Sequence, residues 1–122
     1  MSVSEFLSQA NKIQTKKTKL KEIDIELAFV KYAKAQGCLA LKLIFFNRKG
    51  FPDRTVLCKG GGIFFVEFKR EGVKTSLSKK TVQKKVQNIL EKFGFEYHIC
   101  NSIGQAEKQL DRFLYGQRLG SA

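Results

Sequence analysis

The chain has 122 residues, 43% of them apolar, and carries 23 lysines and arginines against 11 acids, a net charge of +12. That length allows one domain with a modest core, and the charge favours a polyanion such as nucleic acid as partner. It offers no apolar run near the ~20 residues of a membrane span, no helix pairing a basic face with an exposed apolar one, and no signal peptide in Met1-Ser2-Val3-Ser4-Glu5-Phe6.

Residues 1–19 read as a basic arm or an extra helix. Phe6, Leu7, Ala10 and Ile13 have near-helical spacing, and Lys12, Lys16, Lys17, Lys19 and Lys21 form a basic run. That run is either a solvated linker or an arm that meets phosphates. From about Leu20 to Gln36 the pattern predicts a helix, with Ile23, Leu27 and Val30 on one face and Gly37 as its stop. Glu22 and Glu26 lie one turn apart on it. Leu39 to Phe46 is the first strand, with Lys42 its only charge. Asn47-Arg48-Lys49-Gly50 is a basic turn. Pro52 fixes its own φ and biases Phe51 toward extended geometry, aiming Asp53 at the start of the next strand, Thr55 to Cys58.

Lys59-Gly60-Gly61-Gly62 is a hairpin turn, because it lacks the G-x-x-x-x-G-K-[ST] pattern of a phosphate loop. Ile63 to Phe68 follows as a buried strand. A polar connection then leads to a helix striped by Val82, Val86, Ile89, Leu90 and Phe93 and closed by Gly94. Phe95 to Cys100 is a fourth strand, and its histidine, His98, reads as structural. Ser102-Ile103-Gly104-Gln105 resembles a capping box, opening a last helix along Ile103, Ala106, Leu110, Phe113 and Leu114. Residues 117–122 are a flexible tail. Cys38, Cys58 and Cys100 form no C-x-x-C and read as reduced structural thiols of an intracellular protein.

The chemistry concentrates in two pieces. In Ile63-Phe64-Phe65-Val66-Glu67-Phe68-Lys69, alternation puts Glu67 and Lys69 on one strand face and Phe64, Val66 and Phe68 on the other. Charges at the end of an apolar run are costly without a purpose. If a turn brings Asp53 alongside, two carboxylates and a lysine converge. Close carboxylates repel unless a cation sits between them, and an oxygen-only ligand set suits Mg²⁺ or Mn²⁺.

Pro52-Asp53 followed by Glu67-Phe68-Lys69 resembles the PD-(D/E)XK nuclease signature. Gly50-Phe51-Pro52-Asp53-Arg54 resembles the G-x-P-D-R form of its VRR-NUC branch, especially small stand-alone phage-type members. The likeness covers most of residues 20–116. It implies an α/β fold, a mixed four-stranded sheet flanked by helices in the order αβββαβα. It further implies a metal-dependent DNA endonuclease, working as a homodimer on branched DNA such as Holliday junctions. A flap or duplex nuclease, or a non-catalytic DNA-binding module on the same fold, are the alternatives. Its setting would be the cytoplasm of a bacterial or phage-infected cell.

By this resemblance Asp53, Glu67, the Phe68 carbonyl and a glutamate of the first helix hold the metal. Glu22 and Glu26 both fit the glutamate, with Glu26 favoured. Lys69 is catalytic. A glutamine near the site falls on Gln83 when counted back from Gly94, whereas counting forward from Glu67 points near Lys79. Lys42 matches a lysine frequent in the family. The DNA would be met by Lys42, Arg48, Lys49, Arg54, Lys74, Lys79, Lys80 and Lys84, with Lys85 beside them.

Overall fold

The structure, a computed structural model, describes residues 2–3, 20–43, 49–74 and 81–120. Within these the chain forms α1 (Glu22–Ala35), β1 (Leu39–Leu41), β2 (Arg54–Leu57), β3 (Ile63–Phe68), α2 (Thr81–Lys92), β4 (Glu96–Cys100) and α3 (Ile103–Gly120). The sheet order is β1-β2-β3-β4. The first three strands are antiparallel, and β4 lies parallel to β3. A parallel neighbour needs a crossover, and α2 lies in it. The mixed sheet with flanking helices is the α/β architecture expected from the element order.

The triple glycine makes the β2–β3 turn. Gly60 and Gly61 take φ of +90° and +91°, which a side chain would strain. Strand alternation then sorts β3. Phe64, Val66 and Phe68 are fully buried in the main core, with Ile25, Phe29 and Ala33 of α1, Val56 of β2, and Ala106 and Leu110 of α3. Phe29 meets Phe68 with ring centroids 5.6 Å apart, and Phe64 meets Phe113 at 4.7 Å. The helix α3 opens as expected. Ser102 Oγ accepts the Gln105 N–H at 3.1 Å, and Gln105 Oε1 accepts the Asn101 N–H at 2.9 Å. The three cysteines are free and buried.

Three features differ from the sequence reading. On α1 the buried face is Ile25, Glu26, Phe29 and Ala33, while Ile23 and Leu27 remain 49% and 54% exposed. The helix carries apolar residues on two sides, and the side chosen is the one that brings Glu26 to the sheet. The α2 stripe is also shallow: Val82, Ile89 and Phe93 are exposed, and Val86 and Leu90 only partly covered. Finally, α3 continues to Gly120, so residues 117–120 extend the helix where a tail was expected. Among the described residues β1 ends at Leu41; residues 44–48, where the longer strand was expected, and 4–19, most of the arm, lie outside them.

Candidate active site

Asp53 stands just before β2, and the β2–β3 register pairs Arg54 with Val66. One step further along the hairpin therefore sets Asp53 opposite Glu67. Both carboxylates are held by backbone amides. The Asp53 N–H donates to Glu67 Oε1 at 3.1 Å, and the Phe68 N–H donates to Asp53 Oδ2 at 2.8 Å. From α2, Gln83 Nε2 donates to Glu67 Oε2 at 2.7 Å. Lys69 Nζ stands 3.9 Å from the same oxygen. The structure thus brings four of the expected residues, Asp53, Glu67, Lys69 and Gln83, to one place. Of the two positions open to the glutamine, Gln83 is the one at the carboxylates; Lys79 lies outside the described residues.

Glu26 is directed to the sheet and Glu22 to solvent. Yet Glu26 is already engaged: its Oε2 accepts from Arg54 Nε at 2.7 Å and lies 3.8 Å from Lys42 Nζ. Arg54 also donates through Nη1 to the Ala40 carbonyl at 3.2 Å. Its side chain is only 14% exposed. Arg54, expected on the DNA, instead points inward and ties α1, β1 and β2 together. A cation held by a buried carboxylate has its charge largely spent there.

Neither a protein-family model nor a curated protein matches the sequence. A solved structure described as a VRR_NUC domain does match in fold. It superposes with a TM-score of 0.66 at 26% identity, over 74% of this chain and 94% of that one. The chain is thus similar in fold to a VRR_NUC domain. Its Gly50-Phe51-Pro52-Asp53-Arg54 segment and the β3 carboxylate supply the cluster just described.

The electrostatics of this cluster are those of two acids forced together. Burial first, then the charge of Asp53, pushes the Glu67 carboxyl up to about 7, with Lys69 pulling the other way. Asp53 is also raised, by burial first and also by the charge of Glu26, against the opposing Phe68 N–H. Both shifts have the same sign, so the ionised form of each carboxyl is disfavoured here.

A divalent cation fits this donor set, because its charge offsets the cost of holding two ionised carboxylates out of water. Among the described residues no three His, Cys, Asp or Glu side chains converge as a metal cluster. Further ligands would have to come from the Phe68 carbonyl and water. Gln83 Oε1 is buried here with no hydrogen-bond partner among the described residues.

Sequence reasoning passed over Tyr97. The β3–β4 register pairs it with Phe65, on the strand face that carries Glu67. Burial first, then the charges of Glu67 and Asp53, raise its phenol well above the ordinary value. The alternation Phe95-Glu96-Tyr97 on a strand parallel to β3 was the available signal. The proposed DNA contacts Lys42, Lys49, Lys74 and Lys84 are exposed, as is Lys85, while Arg48, Lys79 and Lys80 lie outside the described residues.

Proposed function

We propose that this VRR-NUC domain is a divalent-metal-dependent, structure-specific DNA endonuclease that acts as a homodimer on four-way junctions. The observation that carries the reading is the carboxylate pair of half-buried Asp53 and buried Glu67, with Gln83 and Lys69 against the same Glu67 oxygen. A structural acid pair would gain nothing from such an arrangement; a hydrolytic site does.

Phosphodiesters are kinetically inert, so hydrolysis needs an activated nucleophile and stabilisation of developing negative charge. Asp53, Glu67 and the Phe68 carbonyl would hold Mg²⁺ or Mn²⁺, which when bound would lower the pKa of water and offset phosphate charge. Gln83 fixes the rotamer of Glu67 through Oε2. Lys69 is aimed at the same locus, where its ammonium orients the attacking water and meets the scissile phosphate. Glu26 acts at one remove: paired with Arg54, it sets the floor beneath Asp53. Exposed lysines along the chain, Lys42, Lys49, Lys74 and Lys84, follow the DNA backbone by charge. Two symmetric sites in a homodimer suit a junction, which is resolved by paired nicks.

The test is incubation of the protein with labelled duplex, flap and four-way-junction DNAs in Mg²⁺, in Mn²⁺ and in EDTA, with sedimentation of the protein alongside. Paired nicks in the junction with either metal, none in EDTA, and a dimer in solution are expected. Cleavage confined to flaps or duplex would remove the junction assignment. DNA binding without cleavage in either metal would leave a binding module.

A further inference from the structure

We infer that Gly50 is a positioning residue for this site, one that sets the Gln83–Glu67 hydrogen bond by admitting the first turn of α2 against the chain backbone. Gly50 takes φ of +83°. A Cβ there would lie 2.8 Å from Val82 Cγ1, 2.9 Å from the Val82 carbonyl carbon and 3.0 Å from the Gln83 nitrogen. Two of those three atoms are helix backbone, so no rotamer change relieves the contact. The glycine is therefore required twice, for its backbone conformation and for a distance of approach that no side chain tolerates.

Among the described residues, the first turn of this helix has few other anchors. Val82 is exposed, and Gln83 itself is only partly buried. The loop on the other side of the contact is firmly held. Phe51 packs edge-on against Phe65 with centroids 5.6 Å apart, Pro52 is buried, and the Asp53 carboxylate accepts from Phe68. Gly50 is thus where a helix with a shallow apolar face meets a loop locked to β3. Displacing α2 there moves Gln83 Nε2 relative to Glu67 Oε2, now 2.7 Å away. Displacements of about 1 Å from catalytic geometry cost about 100-fold in rate.

The inference rests on the nuclease reading for its kinetic arm only. The experiment is a double-mutant cycle with Gly50→Ala, Gln83→Ala and the double variant, read by single-turnover junction cleavage in Mn²⁺ and by DNA affinity in EDTA. Gly50→Ala should slow cleavage about 10- to 100-fold with DNA affinity unchanged. In the Gln83→Ala background it should cost under about 3-fold, because both changes remove one interaction. Gly50→Asn, which tolerates positive φ better, serves if the alanine variant folds poorly and should give the same pattern.

An independent readout is the Gln83 side-chain amide by NMR in the metal-free protein. Its resonance in wild type should be shifted by the Glu67 bond and should return toward the free position in either Gly50 variant. Additive rate losses, or a wild-type amide signal in both Gly50 variants, overturn the inference. Absence of cleavage by wild type would instead defeat the nuclease reading, leaving the amide signal to decide on Gly50.

Discussion

Along β3, Phe64, Val66 and Phe68 enter a dry core between the sheet and helices α1 and α3. Phe65 and Glu67 face the other way, toward α2 and the carboxylate of Asp53. On the first face the packed core residues are apolar and their burial lowers the free energy. On the second, burial raises it, because two acids are desolvated within reach of one another. The contrast teaches where stability and chemistry reside: one face of a single strand holds the domain together, and the opposite face holds carboxyl groups whose ionised forms burial disfavours.

The largest separation of the two faces should come from Lys69→Ala. Loss of the ammonium beside Glu67 is expected to slow junction cleavage about 100- to 10,000-fold, while the thermal midpoint moves little, since Lys69 is no part of the core. Equal cleavage by mutant and wild type in single-turnover assays would remove Lys69 from the mechanism. On the opposite face, Phe68→Ala should cost about 3–5 kcal/mol of stability, as aromatic truncations in cores do. Urea denaturation measures it, and a loss below about 1 kcal/mol would show that this face is not the one holding the domain.

A smaller effect follows from acidity. The folded Glu67 carboxyl lies near 7 against an ordinary 4.5, so the fold favours its protonated form. That contribution is fully present below about 4.5 and is lost as pH rises through about 7, and the raised Asp53 acts with the same sign. The metal-free protein should therefore lose on the order of 1–3 kcal/mol between pH 5 and 8 from this pair. Excess Mn²⁺ should restore it at pH 8 by binding the ionised form. Thermal melts at both pH values, with and without Mn²⁺, give the answer; a metal-free protein that melts higher at pH 8 would contradict it. Smallest of all, Lys84→Ala should reduce the log–log salt slope of DNA binding by about 0.9, read from fluorescence anisotropy over a salt series. An unchanged slope would take Lys84 off the DNA.

Much of the dry face was legible in the sequence, because alternation in Phe64, Val66 and Phe68 leaves little choice of inward side. The carboxylate pair was legible for a related reason: Pro52 and the glycine turn fix the hairpin, and the hairpin register then sets Asp53 against Glu67. What escaped was decided by tertiary pairing. Ile23 and Leu27 make as regular a stripe as Ile25, Phe29 and Ala33, and spacing alone does not choose between them. The choice follows from Arg54, whose partner Glu26 lies 28 residues away in sequence. Arg54 itself looked like a phosphate ligand because a cation shortly after a basic turn carries no mark of an inward carboxylate. Gln83 was within reach by counting from Gly94, but its grip on Glu67 depends on Gly50, whose contact with α2 crosses a connection of unusual length.

The topology also has a consequence for the order in which the molecule assembles. β2 and β3 are joined by a tight turn, whereas β3 and β4 meet only after residues 69–95 have been looped back. Nearby pairings close before distant ones, because distant ones pay more loop entropy first. Asp53 and Glu67 thus meet early, in a hydrated hairpin where water screens their repulsion. They are desolvated only when α2 and β4 arrive, so the late step of folding carries the electrostatic cost of the carboxylate pair. Pulsed hydrogen exchange during refolding should protect the amides of Val56 and Phe64 before those of His98 and Cys100, and Asp53→Asn should hasten the second phase alone.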